Sequence, residues 1–95
     1  MIFKFGEIGM SLGTRVLGVE AREKLHNILI NTNDIIILDF EGVTVLSNSF
    51  ADECIAKLAK QVGFNKFKSR TTFRNFNPFI AKVIKNALNN RLAMN

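Results

Sequence analysis

The side chains best able to do chemistry in this sequence are few. His26 is the only histidine and Cys54 the only cysteine. His26 falls within a helix-spaced segment beside Leu25, with no cysteine or carboxylate at metal-ligand spacing, so a structural role is expected there. Cys54 lies on an apolar stripe with no evident base to activate it, which predicts a small buried hydrophobe, not a nucleophile. A lone cysteine makes neither an internal disulfide nor a cysteine-based zinc site, and it suits the reducing cytoplasm expected as the location. Asp39 and Glu41 close an apolar run, where open α/β sheets often carry functional groups. Two such carboxylates could form an acid–base pair or hold a metal; equally, Asp39 could cap the turn that follows. Gly6, Gly9 and Gly13 are too irregularly spaced for a phosphate loop, and there is no Ser/His/Asp set. The expectation is a protein with no enzymatic activity, no cofactor and no metal.

The second kind of chemistry is binding. Residues 64–76 interleave phenylalanine with lysine and arginine, the combination a single-stranded nucleic-acid platform uses to stack bases and hold phosphates. Lys68, Arg70, Arg74, Lys82 and Lys85 would form that basic surface. Strand alternation, however, sets Phe67 and Phe73 opposite Lys68, Arg70 and Arg74, which directs the rings to the core and weakens the platform. Charge is divided along the chain. All 8 acidic residues precede position 54, together with Lys4, Arg15, Arg22 and Lys24, whereas the other 9 of the 13 basic residues follow it. Such polarity could steer an acidic partner or nucleic acid, draw copies of the chain into a homo-oligomer, or simply keep helix backs solvated.

These groups must be positioned by one domain spanning residues 1–95, since 47% hydrophobic and 22% charged residues over that length suffice for a single modest core. Ile2 to Phe5 reads as a short strand. Leu17, Ala21, Leu25, Ile28 and Leu29 recur at helical spacing between Thr14 and Ile30, with Gly18 weakening that helix. Asp34 to Phe40 is a β-branched run expected as a central strand buried on both faces. Val43 to Leu46 is extended and leads into a helix with Phe50, Ala51, Cys54, Ile55, Leu58, Ala59 and Val62 on its apolar stripe. Ser49 with Asp52 makes a partial capping box, and Gly63 ends the helix. Phe67 to Arg74 alternates as a strand, and Asn77-Pro78 starts a last helix with Ile80, Val83, Ile84 and Ala87 inward. Helices alternating with strands predict a small α/β fold, with a mixed or partly parallel sheet packed by about three α-helices. The apolar run Ile35 to Leu38 is far too short to span a membrane, and the first ten residues lack signal-peptide features, so neither membrane association nor export is expected.

The run from Ile36 through Asp39, Gly42, Val43, Ser47, Asn48, Ser49, Phe50, Ala51, Asp52 and Glu53, with Gly13-Thr14-Arg15 upstream, resembles the STAS-like family. These are small relatives of the STAS domains of anti-sigma factor antagonists and sulfate transporters. The resemblance is strongest over residues 36–53 and extends more weakly over most of the chain. It implies a non-enzymatic regulatory module whose partner is a histidine-kinase-like ATPase or an anti-sigma-type kinase. In the better known STAS proteins the corresponding turn has an Asp-Ser-Ser-Gly pattern and its first serine is phosphorylated. Here Ser47 matches the aspartate, Asn48 the phosphorylated serine, Ser49 the next serine and Phe50 the glycine. Asparagine accepts no phosphate, which leaves Ser49 and Ser47 as candidate phosphorylation sites, although both are also good helix-cap residues. The partner-binding residues implied are Ser47, Asn48, Ser49, Asp52 and Glu53.

Overall fold

The β-branched run ending at Asp39 forms the middle strand of a parallel sheet. The computed structural model describes residues 1–94. Along the chain run β1 (Ile2–Lys4), a 3-10 turn (Phe5–Glu7), β2 (Ser11–Leu12), α1 (Arg15–Asn31), β3 (Ile36–Asp39) and β4 (Val45–Leu46). There follow α2 (residues 48–62), α3 (Phe64–Arg70), β5 (Thr71–Arg74) and α4 (Pro78–Leu92). The main sheet has the order β1-β3-β5, parallel throughout, with Ile37 paired to both Ile2 and Thr72. β2 and β4 form a separate parallel pair, Leu12 opposite Leu46. Parallel neighbours require crossovers, and α1 supplies the one between β1 and β3.

Only one face of the main sheet is fully covered. Ile36 and Leu38 are buried, whereas Ile37 is half-buried and Ile35 is 56% exposed, which corrects the expectation of a strand covered on both sides. The helices gather over the first face. Phe5 stacks on Phe40 with ring centroids 4.3 Å apart, and the edge of Phe50 meets Phe5 at 6.2 Å. Around these rings lie Leu12, Leu25, Leu38, Ile55, Leu58 and Ile80, all inaccessible to solvent.

Local signals account for most helix ends. The hydroxyl of Thr14 accepts from Leu17 N at the start of α1, and the Asn77 side chain accepts from Ile80 N, with Pro78 in the first turn of α4. Gly63 takes φ +92° between α2 and α3, a conformation that other residues rarely adopt. Two further features differ from the sequence reading. Residues 67–70, expected to be extended, belong to α3, so the described residues form four helices where about three were expected. Phe64 and Phe67 are three residues apart, a spacing that fits a helix as well as alternation fits a strand, and burial of Phe67 selects the helix. Arg70 reinforces this choice from outside: its guanidinium donates to the carbonyls of Leu29, Thr32 and Asp34, where α1 leaves its last acceptors unpaired.

The second difference lies in α2. It starts as an α-helix at Asn48–Ala51, passes through a π-helical turn at Asp52–Ala56 and resumes as Lys57–Val62. Glu53, Cys54, Ile55 and Ala56 are consecutive and all buried, because the π turn is enclosed by α1 on one side and α4 on the other. Gly18 permits that closeness. A Cβ at position 18 would lie 2.7 Å from Glu53 Cβ and 3.2 Å from Phe50 O, so the weak point seen in the helix pattern is the place where α1 and α2 touch.

Candidate partner-binding site

β4 delivers the chain to α2, and its end sets the first turn of that helix. Ser47 is the N-cap, its Oγ accepting from Phe50 N at 3.0 Å, so the capping role expected of Ser49 belongs to Ser47. Asn48 is exposed and Ser49 half-buried. Both face a cleft of about 510 Å³ between the start of α1, the start of α2 and the second half of α4. Arg15 and Asp52 line it, with Asn86, Asn89, Asn90 and Arg91 from α4. Hydroxyl and carboxamide groups both donate and accept hydrogen bonds, so such a rim suits a peptide backbone or polar side chains.

Beneath the rim lies an ion network. Arg91 donates to Asp52 through two parallel bonds, Nε to Oδ1 at 2.8 Å and Nη2 to Oδ2 at 2.6 Å. Arg15 Nη1 donates to Asp52 Oδ2 at 2.9 Å and to Glu53 Oε1 at 3.2 Å. Lys57 donates to the same Glu53 oxygen, and Arg22 lies 3.7 Å from Oε2, too far for a hydrogen bond. Four cations from three helices thus surround two carboxylates. The Arg91 fork, with help from Arg15, holds the Asp52 carboxyl down at about 2 against the cost of partial burial. Burial alone would raise the Glu53 carboxyl; Lys57, Arg15 and Arg22 together keep it below its ordinary value.

This network changes the role of two residues read as exposed contacts. Glu53 is only 6% exposed and lies inside the junction of α1 and α2, because the π turn points it at Arg22 and Lys57; it is a frame residue rather than a surface contact. Asp52 keeps one side on the cleft but spends both oxygens on arginines. Asn48 and Ser49 remain at the opening, whereas Ser47 is outside its lining and caps the helix. Arg15, Arg91 and the three asparagines of α4 were missed as site residues. Their partners lie about forty positions away in sequence, so no spacing could show the pairing; only the amide-rich polar side of the last helix was visible.

Two of the proposed nucleic-acid residues are engaged within the fold. Arg70 is committed to the end of α1, and Arg74 pairs with Asp39 at 3.2 Å. Lys68 sits on α3, while Lys82 and Lys85 are on α4, all three exposed. Asp39 is buried and acts as the turn cap: Asn75 donates to it at 2.9 Å, Glu41 N at 3.0 Å, and these bonds with Arg74 hold its carboxyl below the usual range. Glu41 is exposed, so the two carboxylates do not face one another as an acid–base pair would. Cys54 is wholly buried, and burial pushes its thiol up, away from reactivity. His26 is half-buried on α1, and among the described residues no three histidine, cysteine, aspartate or glutamate side chains gather to hold a metal. No helix of the described chain is long and apolar enough to cross a membrane.

Compared with known proteins, residues 18–81 match a family model described as a STAS-like domain of unknown function (DUF4325). The match covers more than half of the chain, including all of α2, and leaves Arg15 and Arg91 outside it. No curated protein and no solved structure matches the sequence.

Proposed function

Because the chain belongs to the STAS-like domain family, we propose that it is a non-enzymatic regulatory module that binds a protein partner at the start of α2. The partner inserts a loop or helix end into the cleft beside Asn48 and Ser49, and the asparagines of α4 bind its polar groups. The observation that carries this reading is the cleft itself. An exposed helix start with unspent amide and hydroxyl groups opens onto it, while the charges below are locked to one another and hold its walls in place. The likeness to STAS domains supports a histidine-kinase-like ATPase or an anti-sigma-type kinase as the partner class.

Ser49 is the residue through which such a kinase would switch the complex. Its hydroxyl lines the same cleft as Arg15 and Arg91, and the network below has two more cations than carboxylates. A phosphate there would meet net positive charge and the amino end of a helix. Ser47 is the poorer acceptor, since its oxygen already caps the helix.

The test is affinity capture from cells of the native host after nuclease treatment, with mass spectrometry that also reads phosphate on Ser47 and Ser49. The parental protein should retain an ATPase of the histidine-kinase-like class. Asn48→Arg, at an exposed position with no bond to lose, should release it without changing the melting temperature. Retention of that ATPase by the variant would remove this site, and recovery of nucleic acid alone would remove the reading.

A further inference from the structure

β5 is an edge strand. It has β3 on one side and no strand on the other, so alternate N–H and C=O groups along Thr71–Arg74 face outward without a ladder partner among the described residues. Beside this edge is a groove of about 250 Å³ lined by Phe64, Phe67, Lys68, Thr71, Thr72 and Phe73. Phe67 forms its buried floor, and Phe64, 43% exposed, forms its lip. An open backbone edge next to an apolar groove has the two parts that strand addition uses: main-chain bonds for affinity and a pocket for alternate side chains.

The charges choose the occupant. From position 54 to the end the sequence has no carboxylate side chain. Of the cations near the groove, Arg70 and Arg74 are engaged inward, whereas Lys66 and Lys68 are exposed and make no ion pair among the described residues. We infer that β5 is a second docking surface, which receives an extended acidic peptide segment as a fourth strand with an aliphatic side chain in the groove. A second copy of this chain fits poorly. Its main sheet has two free edges: β1, Ile-Phe-Lys beside the terminal ammonium, and β5 itself, which lies in a segment with no carboxylate side chain; either would bring like charge to the lysines. Single-stranded nucleic acid fits less well too, because its phosphates could accept from the N–H groups but it has no row of alternating donors and acceptors at strand spacing to match the edge, and Phe67 has its ring buried in the floor.

The probe is a fluorescein-labelled synthetic octapeptide, Asp-Val-Glu-Ile-Asp-Val-Glu-Ile, titrated into the full chain and followed by anisotropy. Its controls carry lysine for every acid, or N-methyl groups on both valines to remove outward hydrogen bonds; an oligothymidylate of similar length tests for nucleic acid. The acidic peptide should bind and protect the amides of Thr71 and Phe73 from hydrogen exchange. N-methylation, or Lys68→Glu with unchanged melting, should weaken binding by about tenfold, as expected for losing one or two hydrogen bonds or reversing one charge. No binding, equal binding of the N-methylated peptide, tighter binding of the oligonucleotide, or concentration-dependent self-association that blocks the peptide would each overturn the inference. Asn48→Arg should leave the titration unchanged, so this surface can fail without the α2 site failing, and the reverse.

Discussion

Replacing Gly18 by alanine tests the contact on which the whole site rests. In an exposed helix the exchange stabilises, since alanine exceeds glycine in helix propensity by about 0.8–1 kcal/mol. Here the added methyl would lie 2.7 Å from Glu53 Cβ and 3.2 Å from the carbonyl oxygen of Phe50. Neither is the loose end of a flexible side chain. Carbon atoms rest at about 3.5–4.0 Å, so α1 and α2 would have to part by roughly 1 Å. Overfilling a packed core costs about 1–3 kcal/mol, and a contact this short against two groups that cannot swing aside belongs in the upper half of that range, above the propensity gain. The net loss should be about 1–2 kcal/mol, or a melting temperature lower by roughly 5–15 °C for a domain of this size. Thermal unfolding followed by circular dichroism would measure it. Gly13→Ala is the control: a Cβ there meets nothing within 4 Å, so its melting temperature should barely move. A Gly18→Ala protein that melts at or above the parental temperature would refute the close approach of α1 to α2, and with it the positioning of Glu53.

Three further outcomes follow from side chains described above. Asp52 is held near 2, below its unfolded value of about 3.9, so its ionised form stabilises the fold; that contribution is complete above about pH 4 and disappears as pH falls through 2. Asp52→Asn should therefore cost about 1–2 kcal/mol in urea unfolding near neutral pH, a deficit that vanishes near pH 2. Cys54 should resist iodoacetamide in the native protein and react at a rate that rises with urea, because its thiol is buried and held in the neutral form. Arg70→Lys should lose about 1–2 kcal/mol, since one ammonium cannot replace a planar fork that reaches three carbonyls; amide exchange in the last turn of α1 should quicken.

What the sequence made legible was what it stores locally. The β-branched run around Ile37 predicts the central strand, Asn77-Pro78 predicts the start of α4, and the polar triplet Ser47-Asn48-Ser49 before an apolar stripe predicts the start of α2; all three stand in the structure. The family model, matched over residues 18–81, spans all three. Residues 67–70 were misread because a helix of seven residues carries too few turns to distinguish its period from alternation. The site was half legible for another reason. Acids in a first helical turn are ordinarily solvated, so Asp52 and Glu53 read as exposed. Their burial depends on a π turn and on Arg15 and Arg91, which arrive from opposite ends of the chain.

The division of charge, conspicuous in the sequence and ambiguous there, separates in the structure into two kinds. Part of it is cross-chain pairing: Arg74 with Asp39, Arg91 with Asp52 and Lys57 with Glu53 each join a cation of the later half to an acid of the earlier half. These pairs are at least partly shielded and join α2 to α4, β3 to β5 and one turn of α2 to the next, so they act on the fold. Two of the three pairs draw their partners from distant parts of the chain, and Arg15 and Arg22 of the earlier half add to the pairing of Asp52 and Glu53. The remainder is surface. Lys66, Lys68, Lys82 and Lys85 are exposed and make no ion pair among the described residues; Lys66 and Lys68 lie on α3, which lines no part of the α2 cleft, whereas Lys82 and Lys85 lie on α4, with Lys85 next to the cleft residue Asn86. Exposed charges act over roughly a Debye length and respond to salt, whereas the paired ones do so much less. Added salt therefore discriminates between the two surfaces: it should weaken a ligand held by Lys66 and Lys68 at β5 far more than one held by the amides and hydroxyls of the α2 cleft.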